Sequence, residues 1–299
     1  MKFVYATDLH GDESKYAKAL DLCLEEKATL LHLGADLLPK GYHTQKRQKD
    51  FLRRTLPAFF RECAEKGVKV IGMFGNDDIW TRKPLFRDRC GPLLDEEPYE
   101  HEGFIFSGYP YVPDYPFDWK WACKYDRARR RPEPYNGIPM EATEEGIVPI
   151  YDVRDYFASK GTIWSDLKDW PSSDNHIMAF HSPPTRHGLD VCPDGRKVGS
   201  ASIGKWIRER KPYMVLCGHI HESPWMSGVC VKKIGRTIVV QPGQYTSAAT
   251  IDPLRVETIS AVTIARRPPW RQPQKLRAAV ITAELGRAPN VELVEVVDR

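Results

Sequence analysis

The sequence lacks the features that mark membrane proteins and disulfide-rich secreted proteins. It has no apolar run near the ~18 residues that a membrane span needs, and no basic patch followed by an apolar core opens the chain. Its seven cysteines are odd in number and include no Cys-x-x-Cys pair, which argues against a disulfide framework or a thiolate zinc site. These absences predict a cytoplasmic protein with reduced thiols and no membrane span.

The chain also lacks internal repeats, low-complexity tracts and a strong charge of either sign. With 299 residues, 41% of them hydrophobic and 28% charged, it has the composition of a globular protein. A formal charge of +4 suits an anionic substrate but does not indicate nucleic acid. The length is compatible with one large α/β domain or two small ones.

Short apolar runs alternate with amphipathic segments along most of the chain, which predicts an α/β fold with right-handed crossovers. Helices are predicted near residues 14–27, 48–66 and 201–211, and Pro57 should kink or split the second. His32 lies inside an apolar run and is predicted to be a core histidine with satisfied hydrogen bonds. Strands are predicted at 2–6, 28–33, 68–74, 104–107, 176–180, 213–217, 229–234, 236–240, 276–285 and 291–297.

Two stretches interrupt this alternation. Residues 111–175 are rich in Pro, Trp, Tyr and charge, and they indicate an insertion with local helices near 116–130 and 152–168. Asp152 is the predicted cap of the second of these helices. A polar, proline-containing stretch at about 246–273 indicates an excursion from the core.

Polar side chains that can bind metal ions stand directly after five of the predicted strands. Because ligands of open α/β sheets bind at the carboxyl ends of the strands, these side chains can converge although they are far apart in sequence. Two carboxylates, four imidazoles and one amide suit two divalent cations such as Mn, Fe, Zn, Mg or Ni, rather than thiolate chemistry. The candidate ligands are Asp8, His10, Asp36, Asn76, His181, His219 and His221.

The order of these motifs resembles that of the calcineurin-like metallophosphoesterase superfamily. The superfamily pattern runs Asp-x-His, Gly-Asp, Gly-Asn-His-Asp/Glu, His and Gly-His-x-His. The matching motifs here are Asp8-x-His10, Gly34-x-Asp36, Gly75-Asn76-Asp77-Asp78, His181 and Gly218-His219-x-His221. The resemblance spans residues 3–244 and implies a four-layer α/β/β/α sandwich of two mixed sheets. It further implies that residues 1–299 form a single phosphoesterase domain, in which the insertion at about 111–175 is a cap-like segment.

The resemblance also implies a dinuclear metal centre and a reaction. One cation would be held by Asp8, His10, Asp36 and His221, and the other by Asp36, Asn76, His181 and His219. A hydroxide that bridges the two cations would attack phosphorus in line with the leaving oxygen, without a phosphoenzyme. Manganese is among the expected metals, and the expected substrate is a phosphorylated small molecule or a nucleotide.

Two departures from the superfamily pattern bear on this prediction. Ala35 separates Gly34 from Asp36, which a shift of one residue at the strand end can absorb. Asp77 stands where the superfamily usually has the histidine that acts on the leaving group. Asp77 is therefore the candidate catalytic acid, provided that burial or Asp78 raises its pKa. Otherwise the enzyme favours good leaving groups, so a diester or pyrophosphate-type substrate is predicted over a simple monoester.

Two residues are candidates for substrate contact: Asn76, and His187 in the loop that follows His181. The basic run at 127–131 gives nucleic acid a minor place among the expected partners. A metal-dependent nuclease is one alternative function, and a non-catalytic scaffold of the same fold is another. The chain ends soon after its core, which disfavours the nuclease, and the complete ligand set disfavours the scaffold. The sequence does not indicate an oligomeric state.

Overall fold

The computed structural model of the protein describes residues 1–41, 43–127, 135–245 and 275–297. The predicted excursion at 246–273 and most of the basic run at 127–131 lie outside these residues. Within the described part of the chain, no helix is both long and apolar enough to cross a membrane.

The described residues form 15 strands, eight α-helices and one short 3₁₀ helix. The elements up to the longest connection are β1 (Lys2–Ala6), α1 (Glu13–Glu25), β2 (Leu30–Leu33), α2 (Thr44–Arg53), α3 (Thr55–Glu65), β3 (Lys69–Gly72), the 3₁₀ helix Trp80–Arg82, α4 (Lys83–Cys90), β4 (Tyr99–His101) and β5 (Phe104–Tyr109). The elements after β5 are β6 (Val112–Pro113), β7 (Cys123–Lys124), β8 (Met140–Thr143), β9 (Gly146–Pro149), α5 (Val153–Lys160), α6 (Ile163–Leu167), β10 (His176–Phe180), α7 (Ala201–Arg210), β11 (Met214–Cys217), α8 (Ser223–Ser227), β12 (Val231–Ile234), β13 (Thr237–Val240), β14 (Leu276–Thr282) and β15 (Asn290–Val296).

Two mixed sheets carry the fold. The first has the strand order β15-β14-β1-β2-β3, in which β1, β2 and β3 are parallel and β14 is antiparallel to both of its neighbours. The second has the order β12-β13-β11-β10-β5-β4, in which β13, β11, β10 and β5 are parallel. The carboxyl ends of parallel strands share one edge of a sheet, which is where open α/β sheets bind ligands.

An apolar layer joins the two sheets face to face. Phe3 and Ile71 of the first sheet pack in one cluster with Phe106, Ile177 and Met214 of the second. Side chains alternate between the two faces of a strand, and here the residues that point outward are apolar as well. Helices cover these outer faces: α1, α3 and α4 pack on the first sheet, and α6 and α7 pack on the second. Each large apolar side chain that is fully buried stabilises the fold by roughly 1.5–3 kcal/mol. The predicted α/β/β/α sandwich of two mixed sheets is confirmed.

The helix predicted at 48–66 is two helices, α2 and α3, that separate at Arg54 rather than at Pro57. Arg54 leaves helical geometry with φ −127° and ψ −66°. Pro57 lies in the first turn of α3. The first four backbone N–H groups of a helix have no partner inside it, so a proline in that turn removes no hydrogen bond. The predicted break is present, but it lies at Arg54 and not at Pro57.

Residues 110–175 connect β5 to β10, and these two strands are parallel neighbours in the second sheet. The helix predicted near 116–130 is wrong for the described part of that range, where the chain forms β7 and turns. Its aromatic side chains pack in two small clusters instead of on one helix face. The helix predicted at 152–168 is two short helices, α5 and α6. The predicted cap is confirmed, since Asp152 accepts hydrogen bonds from two backbone N–H groups in the first turn of α5.

His32 in β2 is fully buried, as predicted, but its hydrogen bonds are not satisfied: neither ring nitrogen has a partner among the described residues. Burial lowers the pKa of the imidazole to about 3. The unfolded chain binds this proton near the ordinary histidine pKa of ~6.5. Because the unfolded state then holds more protons than the folded state, His32 makes stability fall as the pH drops below ~6.5.

We expect His32→Leu to remove this acid sensitivity. The free energy of unfolding of the variant should fall less steeply than that of the wild type between about pH 6 and about pH 4, by about 1.4 kcal/mol per pH unit. Urea unfolding at several pH values measures the difference. Parallel curves for the two proteins would contradict the assignment of a neutral, buried His32.

Candidate metal centre

The residues that follow the strands of both sheets meet at one place, and several of them have unusual backbone angles. Asp8 and His10 follow β1, Asp36 follows β2 and His219 follows β11. Their φ angles are 58°, 50°, 50° and 69°, in the left-handed region that non-glycine residues rarely adopt. Each such residue costs on the order of 1–3 kcal/mol and persists only where its surroundings fix it, which is typical of functional sites.

Asp8, His10 and His221 form the first group of this cluster. Nε2 of His10 lies 3.1 Å from Nε2 of His221, which lies 3.3 Å from Oδ1 of Asp8. All three side chains are buried. One potential ligand atom of each residue lies within 4.8 Å of the others, so the three side chains could hold one cation.

Asp36, Asn76 and His181 form a second group beside the first. Nε2 of His181 lies 2.7 Å from Oδ1 of Asn76 and 3.4 Å from Oδ2 of Asp36. Oδ2 of Asp36 also lies 3.9 Å from Nε2 of His10. The carboxylate of Asp36 therefore lies between the two groups, where a bridging ligand would have to be. The extra residue Ala35 does not keep Asp36 away from the cluster.

His219 joins the cluster through its ring and its backbone. Its imidazole packs against that of His181 with the ring centroids 4.9 Å apart. Its backbone N–H donates to both carboxylate oxygens of Asp8 at 3.1 Å. Burial, together with the charge of His181, lowers the pKa of this imidazole to about 3. All seven predicted ligands are thus brought to one place, while their role as ligands stays a prediction.

Two glycines allow the loops to approach this closely. At Gly75 an added Cβ would overlap the carboxylate of Asp36 and lie 2.8 Å from its backbone nitrogen. At Gly218 an added Cβ would lie 2.6 Å from Oδ2 of Asp8 and overlap the side chain of Thr7. Real Cβ atoms essentially never come within 3.0 Å of such neighbours. Only glycine, which has no Cβ, fits at either position.

Burial and mutual charge set the protonation of the cluster. Burial opposes the charged form of His181, but the carboxylate of Asp36 outweighs it and raises the pKa of the imidazole to about 9. Burial raises the pKa of Asp36 in spite of the opposing charge of His181. Burial also disfavours the carboxylate of Asp8, yet His221 and the other imidazoles lower its pKa. A cation that binds such ligands displaces protons and takes over their role as the positive partner.

Asp78 joins the loop that follows β2 to the loop that follows β3. Its buried carboxylate accepts hydrogen bonds from the backbone N–H groups of Leu37, Leu38 and Gly75 at 3.1, 2.7 and 2.8 Å. These bonds tie the loop after β2 to the loop after β3. Burial and the charge of Asp36 raise the pKa of Asp78 to about 8. Because this carboxylate is buried and already bonded, it has a structural role that sequence analysis does not identify.

Asp77, the predicted catalytic acid, forms an ion pair with Lys40. Its Oδ2 accepts a hydrogen bond from Nζ of Lys40 at 3.0 Å, and its Oδ1 accepts one from Nδ2 of Asn76 at 3.0 Å. Burial opposes the charged carboxylate, but the ammonium of Lys40 prevails and lowers the pKa of Asp77. The raised pKa on which the acid role depends is therefore not found, because a cation that sequence analysis does not identify lies against the carboxylate.

Gln48 is a second residue that sequence analysis does not identify. The side chain is fully buried. Its Nε2 donates to the backbone oxygens of Pro39 and Asp77 at 3.1 and 2.7 Å. Gln48 thereby fixes the loop that carries Lys40 against the loop that carries Asp77.

One feature of the sequence could have pointed to Lys40 as a residue of the site. Lys40 lies in the polar loop directly after β2, at the same sheet edge as the predicted ligands.

Two residues of the connection between β5 and β10 lie beside the cluster, while the cap-like role of this segment stays a prediction. The ring of Tyr115 packs against that of His219 with the centroids 6.0 Å apart. Nε1 of Trp121 donates to the backbone oxygen of Asp78 at 2.8 Å. These contacts tie the connection to the strand-end loops.

His187, a predicted substrate contact, is not joined to the cluster by any hydrogen bond or ion pair among the described residues. Burial and the charges of Arg208 and Lys232 lower the pKa of its imidazole, against the opposing charge of Asp190. The role of His187 stays a prediction without support from this geometry. Asn76, the other predicted substrate contact, lies within the second group of the cluster.

The residues of the cluster fit divalent cations. Nε2 of His10 lies 3.1 Å from Nε2 of His221, and Nε2 of His181 lies 3.4 Å from Oδ2 of Asp36, so buried ring nitrogens and carboxylate oxygens face one another without other partners between them among the described residues. Carboxylate, imidazole and amide donors in this number suit Mn, Fe, Zn, Mg or Ni.

Two mixed sheets with a buried cluster of carboxylates and imidazoles at their strand ends define a class of metal-binding α/β proteins. Within this class, a sequence model of the calcineurin-like phosphoesterase family matches residues 1–223. The chain therefore belongs to the calcineurin-like phosphoesterase family, which implies a phosphoesterase hydrolase.

Several solved structures are similar to this chain at low sequence identity, and the first of those described next supports the fold alone. One structure, 17% identical, covers 98% of both chains with a TM-score of 0.56. A dimetal phosphatase from Danio rerio, 11% identical, covers 99% of this chain and 98% of its own, with a TM-score of 0.49. An archaeal phosphodiesterase, 11% identical, covers 99% of both chains with a TM-score of 0.40. No curated protein matches the sequence.

Proposed function

We propose that the protein hydrolyses phosphoester bonds with the help of two divalent cations. Asp8, His10, Asp36 and His221 would hold one of them, and Asp36, Asn76, His181 and His219 the other. The observation that carries this proposal is the position of the Asp36 carboxylate, 3.9 Å from Nε2 of His10 and 3.4 Å from Nε2 of His181. When bound, the cations would lower the pKa of water and neutralise the charge on the phosphoryl oxygens.

The chain itself would orient the reactants and exclude water. The backbone N–H of His219 fixes the carboxylate of Asp8. Asp78 fixes the loops that carry Asp36 and Asn76 through its backbone hydrogen bonds. Tyr115 packs against the ring of His219 and would limit the motion of that imidazole. A site preorganised in this way stabilises the transition state without first having to rearrange.

The preferred substrate under this proposal is a diester or a pyrophosphate-type compound, either a phosphorylated small molecule or a nucleotide. The ion pair of Lys40 and Asp77 is partly exposed, with each side chain 22% accessible, and we call this pair the rim. The two charges of the rim cancel, so the rim offers no net positive charge to the second negative charge of a monoester. A diester carries one negative charge at the reacting phosphorus and a monoester up to two, so a rim without net positive charge favours the diester.

Metal analysis combined with a substrate panel tests this function. Protein loaded separately with Mn, Fe, Zn, Mg or Ni should bind about two cations per chain. With at least one metal it should hydrolyse diesters or pyrophosphates faster than monoesters, and a chelator should abolish the activity. Bound metal should also raise the thermal unfolding midpoint, because a ligand that binds only the folded state stabilises it.

The same panel separates the alternatives. Fewer than two cations per chain and no turnover would favour the non-catalytic scaffold. Hydrolysis of monoesters alone would contradict the preference for diesters or pyrophosphates. DNA that is cleaved with manganese faster than small diesters would favour the nuclease.

We also propose a reducing compartment such as the cytoplasm. All seven cysteines are free thiols. Burial raises the pKa of both Cys23 and Cys63 to about 12, which keeps these thiols protonated and unreactive. Fractionation of the source cells, followed by detection of the protein, tests this assignment.

A further inference from the structure

The rim lies where a solute can reach the cluster. The side chains of Lys40 and Asp77 are each 22% exposed, whereas those of Asp8 and Asp36 are 1% and 2% exposed. A phosphoester that approaches the buried carboxylates from the side of the rim therefore meets Lys40 and Asp77 on its way.

Lys40 is held in place and still has donors to spare. Among the described residues, its Nζ makes one hydrogen bond, to Oδ2 of Asp77 at 3.0 Å, and an ammonium group carries three N–H donors. Gln48 fixes the Lys40 loop to the Asp77 loop, and Arg47 donates to the backbone oxygen of Lys40 at 2.8 Å. A fixed donor of this kind can stabilise charge that develops on a substrate without a rearrangement of its own.

Lys15 is the other lysine whose charge acts on the cluster residue His10, but its geometry excludes the same role. Its side chain is buried, and its Nζ donates to the backbone oxygen of Tyr245. Lys40 is therefore the lysine of this pair that a substrate can reach.

We propose that Lys40 is a catalytic residue that donates a hydrogen bond to the leaving oxygen, and that Asp77 is its positioning residue. The inference rests on the proposed function. In the step, the oxygen of a water molecule forms a bond to phosphorus while the bond from phosphorus to the leaving oxygen breaks. The electron pair of that bond stays on the leaving oxygen, which takes up the proton that the water releases to solvent. Lys40 remains protonated throughout and stabilises the charge on the leaving oxygen.

A series of diesters that differ only in the leaving group tests the role of Lys40. For Lys40→Gln, kcat on diesters with an alkyl leaving group should fall on the order of 100-fold, as when one oxyanion donor is removed. The fall should be less than about 10-fold with 4-nitrophenolate, which needs little stabilisation as it leaves. Lys40→Arg should restore part of the loss. The matched control is Lys46→Gln, which removes the same charge from an exposed position on α2 and should leave the profile unchanged.

The outcomes separate this inference from the proposed function. Metal content of Lys40→Gln should equal that of the wild type. Loss of the ion pair with Asp77 should lower the thermal unfolding midpoint by no more than a few degrees, so the variant is folded at the assay temperature and the loss of activity is not one of folding. An equal loss on every leaving group, or no loss, would overturn the role of Lys40 although the wild type is active. A wild-type protein that hydrolyses no phosphoester with any of the five metals would contradict the proposed function, and this inference with it.

A double-mutant cycle tests the role of Asp77. If Asp77 acts by holding Lys40, Asp77→Asn should lower kcat mainly on alkyl diesters, by less than Lys40→Gln does. The double variant should then be no slower than Lys40→Gln alone, because residues that act as one unit are not additive. A further loss on adding Asp77→Asn to Lys40→Gln would show that Asp77 acts on its own and would overturn the positioning role.

Discussion

Asp36→Asn should lower kcat/KM for the best substrate by roughly 1,000-fold or more, because stabilisation by bound metal is worth several kcal/mol and each tenfold is about 1.4 kcal/mol. Asparagine keeps the shape of aspartate but loses the negative charge that lies between His10 and His181. The variant should therefore also bind fewer cations than the wild type. Steady-state kinetics and metal analysis of the same preparation measure both effects.

Asp50→Asn is the matched control for Asp36→Asn. Asp50 lies at an exposed position on α2, so this change removes the same charge away from the cluster. Activity and metal content should stay at the wild-type level. If Asp36→Asn retained two cations and wild-type turnover, Asp36 would not bridge, and the assignment of the two metal positions would have to be withdrawn.

Gly75→Ala should disrupt the second group of the cluster. The added Cβ would overlap the Asp36 carboxylate and crowd the Asp36 backbone, so one loop or the other must move. Overpacking of this kind typically costs about 1–3 kcal/mol. We also expect turnover to fall by about 100-fold, since a displacement of ~1 Å can have that effect on catalysis. Urea unfolding, metal analysis and kinetics measure these effects.

Gly204→Ala is the control for the glycine substitution. Gly204 lies inside α7, and an added Cβ would make only ordinary contacts at 3.5 Å with Arg208 and Pro184. Alanine is favoured over glycine in a helix interior by about 1 kcal/mol, so this variant should be as stable as the wild type or more stable, with unchanged turnover. Equal behaviour of the two variants would show that the close approach at Gly75 does not constrain the cluster.

The predicted ligands could be found from sequence because each one follows an apolar run. Asp8, Asp36 and His181 lie within three positions of the ends of buried parallel strands, and parallel strands end at a common edge. The two sheets could be anticipated from the resemblance, since short apolar runs do not by themselves specify strand order. The site could therefore be predicted from the position of polar residues directly after the strands.

Lys40 could not be predicted in the same way. It lies in an irregular loop whose path depends on buried hydrogen bonds of Gln48 and Asp78, and no periodic pattern records such bonds. The helix predicted near 116–130 was wrong for a related reason, which the described residues 116–127 show. The two tryptophans of this segment pack in one cluster and Tyr125 in another, and Trp121 contacts the loop after β3, so long-range packing outweighed local preference.

The left-handed backbone of Asp8, His10, Asp36 and His219 has a consequence for motion. These residues combine conformational strain with two buried carboxylates, so local opening of the loops after β1, β2 and β11 should cost less free energy than opening of the strands that precede them. The backbone N–H groups of Asp8 and His10 bond to the carbonyl groups of Ala35 and Asp36, so the first two loops would open together. The sheets would stay rigid while these loops open and close. Cation binding would reduce the flexibility of these loops before that of any other part of the described chain.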